Sequence, residues 1–205
     1  MSKLILPVIG GVGVVGFGAY MMTPRGTEIT FKNKYKNAIL GTTDNAALWN
    51  SKFTLLNGKT VRHPKLRLAV IKYSSDSEYA KTLHKEGCKE IYNAPVKHSE
   101  YRKDFKDYCS KNLKDEIGNK WITEENNGSK WTAKLTSLKS HDSNNGELDG
   151  TLKRIKTSIS GDNNNTFDDT KRGDLKAWCT SAGAEIFESP ESDLFKLVKL
   201  YCSEA

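Results

Sequence analysis

No residue set with a recognisable catalytic pattern occurs in this chain of 205 residues. The glycines Gly10, Gly11 and Gly13 fall inside an apolar run rather than between a strand and a helix, which excludes a nucleotide-binding fingerprint. No Gly-x-Ser-x-Gly, His-Glu-x-x-His or calcium-loop pattern appears, so those hydrolase, metalloprotease and calcium-binding classes are excluded as well. Arginine is scarce, at six of the 32 basic residues. The formal net charge of +7 is therefore mostly lysine, and the lysines alternate with acids, as in Lys85-Glu86 and Lys103-Asp104. Such alternation describes a solvated surface, and no nucleic-acid partner is expected. Cysteine is limited to four residues and is absent from the N-terminal apolar run, which excludes a lipoprotein anchor.

Long hydrophobic runs are limited to one. Leu4 to Met22 carries no charge, with Lys3 before it and Thr23-Pro24-Arg25 after it. At about 1.5 Å per residue the run makes a helix of nearly 30 Å, the thickness of a bilayer's hydrocarbon core. Its five glycines lower helix propensity in water, yet lipid enforces backbone pairing and tolerates glycine. None of them stand four apart, so the close-packing dimer motif is missing. Residues 1–24 are expected to be a retained signal anchor forming one transmembrane helix; a cleaved signal peptide and a buried core helix are the alternatives. Arg25, Lys32, Lys34 and Lys36 favour a cytoplasmic C-terminal side. Long C-terminal domains, however, often translocate regardless of flanking charge, and the cysteines argue for export.

Beyond the anchor the chain repeats itself. Residues 87–109 (GCKEIYNAPVKHSEYRKDFKDYC) and 178–202 (WCTSAGAEIFESPESDLFKLVKLYC) share one order of landmarks. Each has a cysteine, Ile-aromatic, a proline-bearing turn, a helical stretch and Tyr-Cys. Upstream, Trp49-Asn50-Ser51-Lys52-Phe53 matches Trp131-Thr132-Ala133-Lys134-Leu135. A first module of residues 25–123 (core Trp49 to Cys109) and a second of 124–205 (core Trp131 to Cys202) follow. The polar stretch Glu124 to Ser129 marks the boundary.

Apolar periodicity within each module is helical. Asp44 is a candidate N-cap for a helix carrying Leu48, Trp49, Lys52, Phe53, Leu55 and Leu56, and Gly58 would close it. Pro64 at a first-turn position tips Leu66–Ile71 from strand towards helix. Ser99 is expected to cap a helix bearing Tyr101, Phe105, Tyr108 and Cys109. Ser189-Pro190 should open one bearing Leu194, Leu197, Val198 and Tyr201, and Asp174 one bearing Leu175, Trp178 and Cys179. Trp49, Trp131 and Trp178 lie on apolar stripes and are expected in the core, at equivalent positions for Trp49 and Trp131. Trp121 is the least patterned and the expected exposed one. The fold class expected is mostly α: a transmembrane helix, then two tandem Trp/Cys-marked helical modules that pack on each other.

The cysteines are the most specific signal. Two similarly spaced pairs suit disulfides Cys88–Cys109 and Cys179–Cys202 in an oxidising compartment, each worth roughly 3 kcal/mol in the chain-entropy model. Three pairings are open, and repeat symmetry favours this one. Four small buried hydrophobes on helix stripes are the competing account. His84 and Cys88, four apart, could join His98 and Cys109 around zinc. The second copy keeps its cysteines without a nearby histidine, its only candidate being His141 in a polar loop, so a metal site is not expected. Nor is a cofactor. Asp162, Asp168 and Asp169 sit in an asparagine-rich loop as solvated carboxylates rather than a catalytic pair. Asn127-Gly128-Ser129 and Asn164-Asn165-Thr166 fit the glycosylation pattern.

The apolar N-terminus, the Trp-led helix and the Trp/Gly-Cys and Tyr-Cys motifs in a lysine- and asparagine-rich chain resemble the expanded, uncharacterised paralogous surface protein families of haemotropic mycoplasmas. The resemblance covers nearly the whole chain. It implies a cell-surface location and a part in host interaction or antigenic diversity, with no enzyme activity and no binding residues to carry over. Gly87-Cys88 departs from the Trp178-Cys179 of the second copy. The functional expectation is a membrane-anchored, surface-exposed, non-enzymatic module with a protein partner, the host being one source. An intracellular membrane-tethered helical adaptor is the alternative.

Overall fold

In the computed structural model, residues 28–41 and 46–204 are described. The expected membrane helix at Leu4 to Met22 and the expected cap Asp44 lie outside them. Among the described residues there is no strand, and no helix is long and apolar enough to cross a membrane.

The first copy opens with α1 (Phe31–Lys34), where the Thr30 hydroxyl accepts from the Asn33 N–H. In α2 (Ala46–Leu55), Trp49, Lys52 and Phe53 form the buried face. Gly58 follows at φ +66°, a left-handed turn that suits glycine. Pro64 begins α3 (Pro64–Lys72), as the first-turn argument requires. The two residues before it are held by buried Asp104, whose carboxylate accepts from the Arg62 and His63 N–H groups at 2.8 and 2.7 Å. Asp76 caps α4 (Ser77–Asn93), whose buried Ala80, Leu83, His84, Gly87, Cys88 and Ile91 follow the helical period. α5 (Arg102–Asp104) runs into a π-helical turn, Phe105–Cys109.

The second copy repeats the plan. Asn112 and Asp115 form a reciprocal capping box on α6 (Leu113–Ile117). α7 (Ser129–Lys139), α8 (Gly150–Ile159), α9 (Asp169–Gly183) and α10 (Asp193–Cys202) follow, the last three capped by Asp149, Asp168 and Ser192. Four isolated antiparallel bridges mark the repeat: Thr30 with Pro95 and Ile39 with Ser110, then Asn112 with Ile186 and Trp121 with Ser203. One interval separates Thr30 from Asn112, Ile39 from Trp121 and Trp49 from Trp131. A second separates Cys88 from Cys179, Tyr92 from Gly183 and Pro95 from Ile186, and a third Ser110 from Ser203 and Cys109 from Cys202.

Several local expectations shift. The helix after Ser99 starts at Arg102, and the Ser99 hydroxyl accepts from the Tyr101 N–H one turn earlier. Ser189 likewise holds the Glu191 N–H in a turn, while Ser192 caps α10. Asp174 lies inside α9 because Asp168 reaches the Lys171 N–H and nucleates the helix sooner. Trp121, expected in solvent, is buried. Its ring lies over Gly183, where a Cβ would stand 2.5 Å from Cη2.

Two apolar cores form, one per copy, and they interlock. The second starts at Leu113, ahead of the polar stretch that marks the boundary in the sequence. The first takes in Ile186 from the second copy. Lys111 between them donates its N–H to the Ala38 carbonyl and accepts from the Phe187 N–H. Lys52, 1% exposed, reaches across to Asp115 at 2.5 Å. The expected packing of one unit on the other is thus built from Ile186 entering the first core, the backbone bonds of Lys111 and one largely buried ion pair.

Candidate functional site

The expected cysteine pairs are joined. Cys88–Cys109 ties α4 to the π turn and Cys179–Cys202 ties α9 to α10, with Cα separations of 5.2 and 5.6 Å. Both span the range a strain-free disulfide needs. All four cysteines are buried, and among the described residues none is free. The local reason is the repeated layout: each pair lies on consecutive helices whose connecting turn folds the chain back.

Around the first disulfide the side chains differ from those around the second. His84, one turn before Cys88, is buried, and its Nε2–H donates to the Tyr108 carbonyl at 2.8 Å. That carbonyl lies within the π turn, where regular helix pairing is lost. Burial pushes the imidazole pKa down to about 4, so it is neutral around pH 7. The Trp49 ring meets its edge at 5.3 Å. In the second copy the same position is Leu175. Gly87 beside it lets α3 approach: a Cβ there would meet Leu66 at 3.0 Å and His63 at 3.3 Å. In the second copy Trp178 fills that position and donates its indole N–H to the α8 cap Asp149 at 2.6 Å. The two indoles that lead the copies are anchored alike, Trp49 on the Gly41 carbonyl and Trp131 on the Glu124 carbonyl.

His84, Cys88 and Cys109 bring their donor atoms within 4.8 Å of one another. Both sulfurs are spent in the disulfide and the imidazole N–H on Tyr108, so the oxidised chain offers no ligand set there. His98 stands apart, exposed, at φ 57°. His141 is not a free loop residue: Nδ1 accepts from the Tyr201 hydroxyl at 2.5 Å, and Nε2–H donates to the Gly146 carbonyl at 2.9 Å. Asp168 caps α9, and Asp169 pairs with Arg172 on the surface. Asp162 accepts from the Thr166 N–H at 3.3 Å, so the three carboxylates form no opposed pair. Asn127 and Asn164 of the two sequons are exposed.

An open groove of about 1050 Å³ runs along α6, α7 and α10. Lys134 in its wall donates to the Leu200 carbonyl at 2.9 Å, and burial lowers its pKa. With that amine engaged, the groove holds no nucleophile–base pair among the described residues. Sequence reasoning missed the burial of Lys52 and the partial burial of Lys134, whose one signal was their places on apolar stripes beside Trp49 and Trp131. Scanned against protein-family models, characterised proteins and solved structures, the chain matches none.

Proposed function

We propose that this chain is a membrane-anchored, non-enzymatic module displayed on the outer surface of a cell, where it binds a protein partner. The observation that carries the reading is the pair of buried disulfides, one in each copy. Cytosolic thiols are kept reduced, so a twice-repeated cystine suits an exported domain. The apolar run Leu4 to Met22 supplies the anchor. A contact surface is available on the first unit, where Leu55, Leu68, Ile71 and Tyr79 are exposed apolar side chains. In the second unit α8 turns Leu152, Ile155 and Ile159 inward and shows lysine and arginine instead. Two copies of one scaffold, one with a polar outer helix and one with an apolar outer helix, suit recognition better than chemistry.

Protease treatment of intact cells tests the location. Release of peptides from residues 28–204, with both disulfides present under non-reducing mass spectrometry, is the expected result. A fully protected domain with four alkylatable thiols would overturn it. That outcome would favour an intracellular tethered adaptor, which Arg25, Lys32, Lys34 and Lys36 after the apolar run also suit.

A further inference from the structure

The repeat lets one location be compared with its own duplicate. In the second copy Trp121, Ile122, Trp131 and Lys176 line a small site of about 210 Å³. In the first copy the counterparts Ile39, Leu40, Trp49 and Lys85 line a cavity of about 530 Å³. The difference rests on two positions. Where the second copy has the Trp121 ring lying on Gly183, the first has Ile39 and Tyr92. The backbone differs to match. Ile122 N–H donates directly to the Cys202 carbonyl at 3.0 Å. In the first copy the Tyr92 hydroxyl stands between the equivalent groups, donating to the Cys109 carbonyl at 2.7 Å and accepting from the Leu40 N–H at 3.4 Å. Tyr92 thus acts as a wedge that separates Leu40 from the disulfide, and no indole fills the space opened.

The cavity's walls are apolar and its rim is basic. Lys32, Lys85 and Lys89 are exposed there, and among the described residues none is ion-paired. Glu86, the one acid lining the cavity, is held by Lys65 at 2.6 Å. The counterpart Lys176 in the second copy is paired with Glu125.

We propose that the first copy is a ligand-binding unit whose cavity takes the apolar chain of a small anionic amphiphile, a single-chain carboxylate. Lys32, Lys85 and Lys89 face its head group. The volume lies within the range of small-molecule sites, and an apolar pocket with a few charges at its mouth is the usual form. The second copy is the same scaffold with the site closed by its own tryptophan. This inference is independent of which side of a membrane the domain occupies.

The test uses the full chain reconstituted in phosphatidylcholine nanodiscs and a photoreactive dodecanoate, with photoreactive dodecylamine as the opposite charge. Peptide mapping is expected to place the carboxylate label on the segments around Ile39, Trp49 and Tyr92, and to place little amine label there. Ile39→Trp/Tyr92→Gly, which copies both positions of the second unit, is expected to abolish that labelling while leaving both disulfides and the helical circular dichroism unchanged. The surface double variant Lys32→Glu/Lys89→Glu, at two exposed lysines with no ion pair among the described residues, should weaken labelling about tenfold, the size of two lost surface ion pairs. Labelling confined to Leu4 to Met22 would overturn the proposal, as would equal labelling by both charges or labelling that both variants leave intact.

Discussion

Acid should weaken the first unit through one residue, His84. Its imidazole is 1% exposed and its N–H serves the Tyr108 carbonyl. Burial lowers its pKa from 6.5 in the unfolded chain to about 4 in the fold. Below pH 6.5 the unfolded chain therefore takes up a proton that the folded chain refuses, and stability falls as pH drops towards about 4. A shift of this size removes about 2 kcal/mol between pH near 7 and about 4.5. His84→Leu, the residue the second copy carries as Leu175, removes the titration. It also leaves a buried carbonyl unmet, at a cost of about 1–3 kcal/mol at neutral pH, partly offset by apolar burial. Urea unfolding of parent and variant at both pH values, disulfides intact, separates the two effects. The variant should start weaker and lose about 2 kcal/mol less on acidification. His63, whose pKa burial also lowers, is present in both proteins and cancels in the comparison. Equal acid losses in parent and variant would refute the argument.

Replacing Cys179 and Cys202 together by alanine should cost about 3 kcal/mol in denaturant unfolding, since the bond closes a loop across a separation of 23 residues; a change below about 1 kcal/mol would contradict the entropy account. Lys52→Met should destabilise by about 2 kcal/mol, less than a fully buried pair would, because Asp115 is 17% exposed and keeps its bond to the Asn112 N–H. A double-mutant cycle with Asp115→Asn that shows no coupling would remove the ion pair from the account of how the units hold together. Gly183→Ala should cost about 2 kcal/mol by pushing the Trp121 ring. Gly161→Ala, with open space at its Cβ, should be close to neutral; equal thermal shifts for the two would show that the ring adjusts freely.

Local pattern accounts for what could be read without the fold. Helical spacing of Leu48, Trp49 and Phe53, proline at position 64 and glycine at position 58 specify α2 and α3, because capping and amphipathicity act within a turn or two of chain. The matched order of Trp, Cys and Tyr-Cys points to a duplicated plan and favours one pairing of the cysteines; the structure decided that they are joined. Helix starts moved by a few residues where an earlier polar side chain reached free amides first, as Asp168 did ahead of Asp174. The cavity of the first copy was invisible because it depends on residues far apart in the chain. Ile39 and Tyr92 look like ordinary core positions until their counterparts Trp121 and Gly183 are laid beside them. The same holds for Ile186 entering the core of the first copy and for Lys52 meeting Asp115. Periodicity reports which face of a helix avoids water; it carries no information about which distant face covers it. The sequence by itself therefore determined the helical elements and the order of landmarks that recurs, through interactions that act locally or recur by duplication. It favoured one cysteine pairing while leaving free thiols as the competing account. Only the tertiary structure decided where Trp121 fills a space and Tyr92 opens one, because that balance is set by shape across the core.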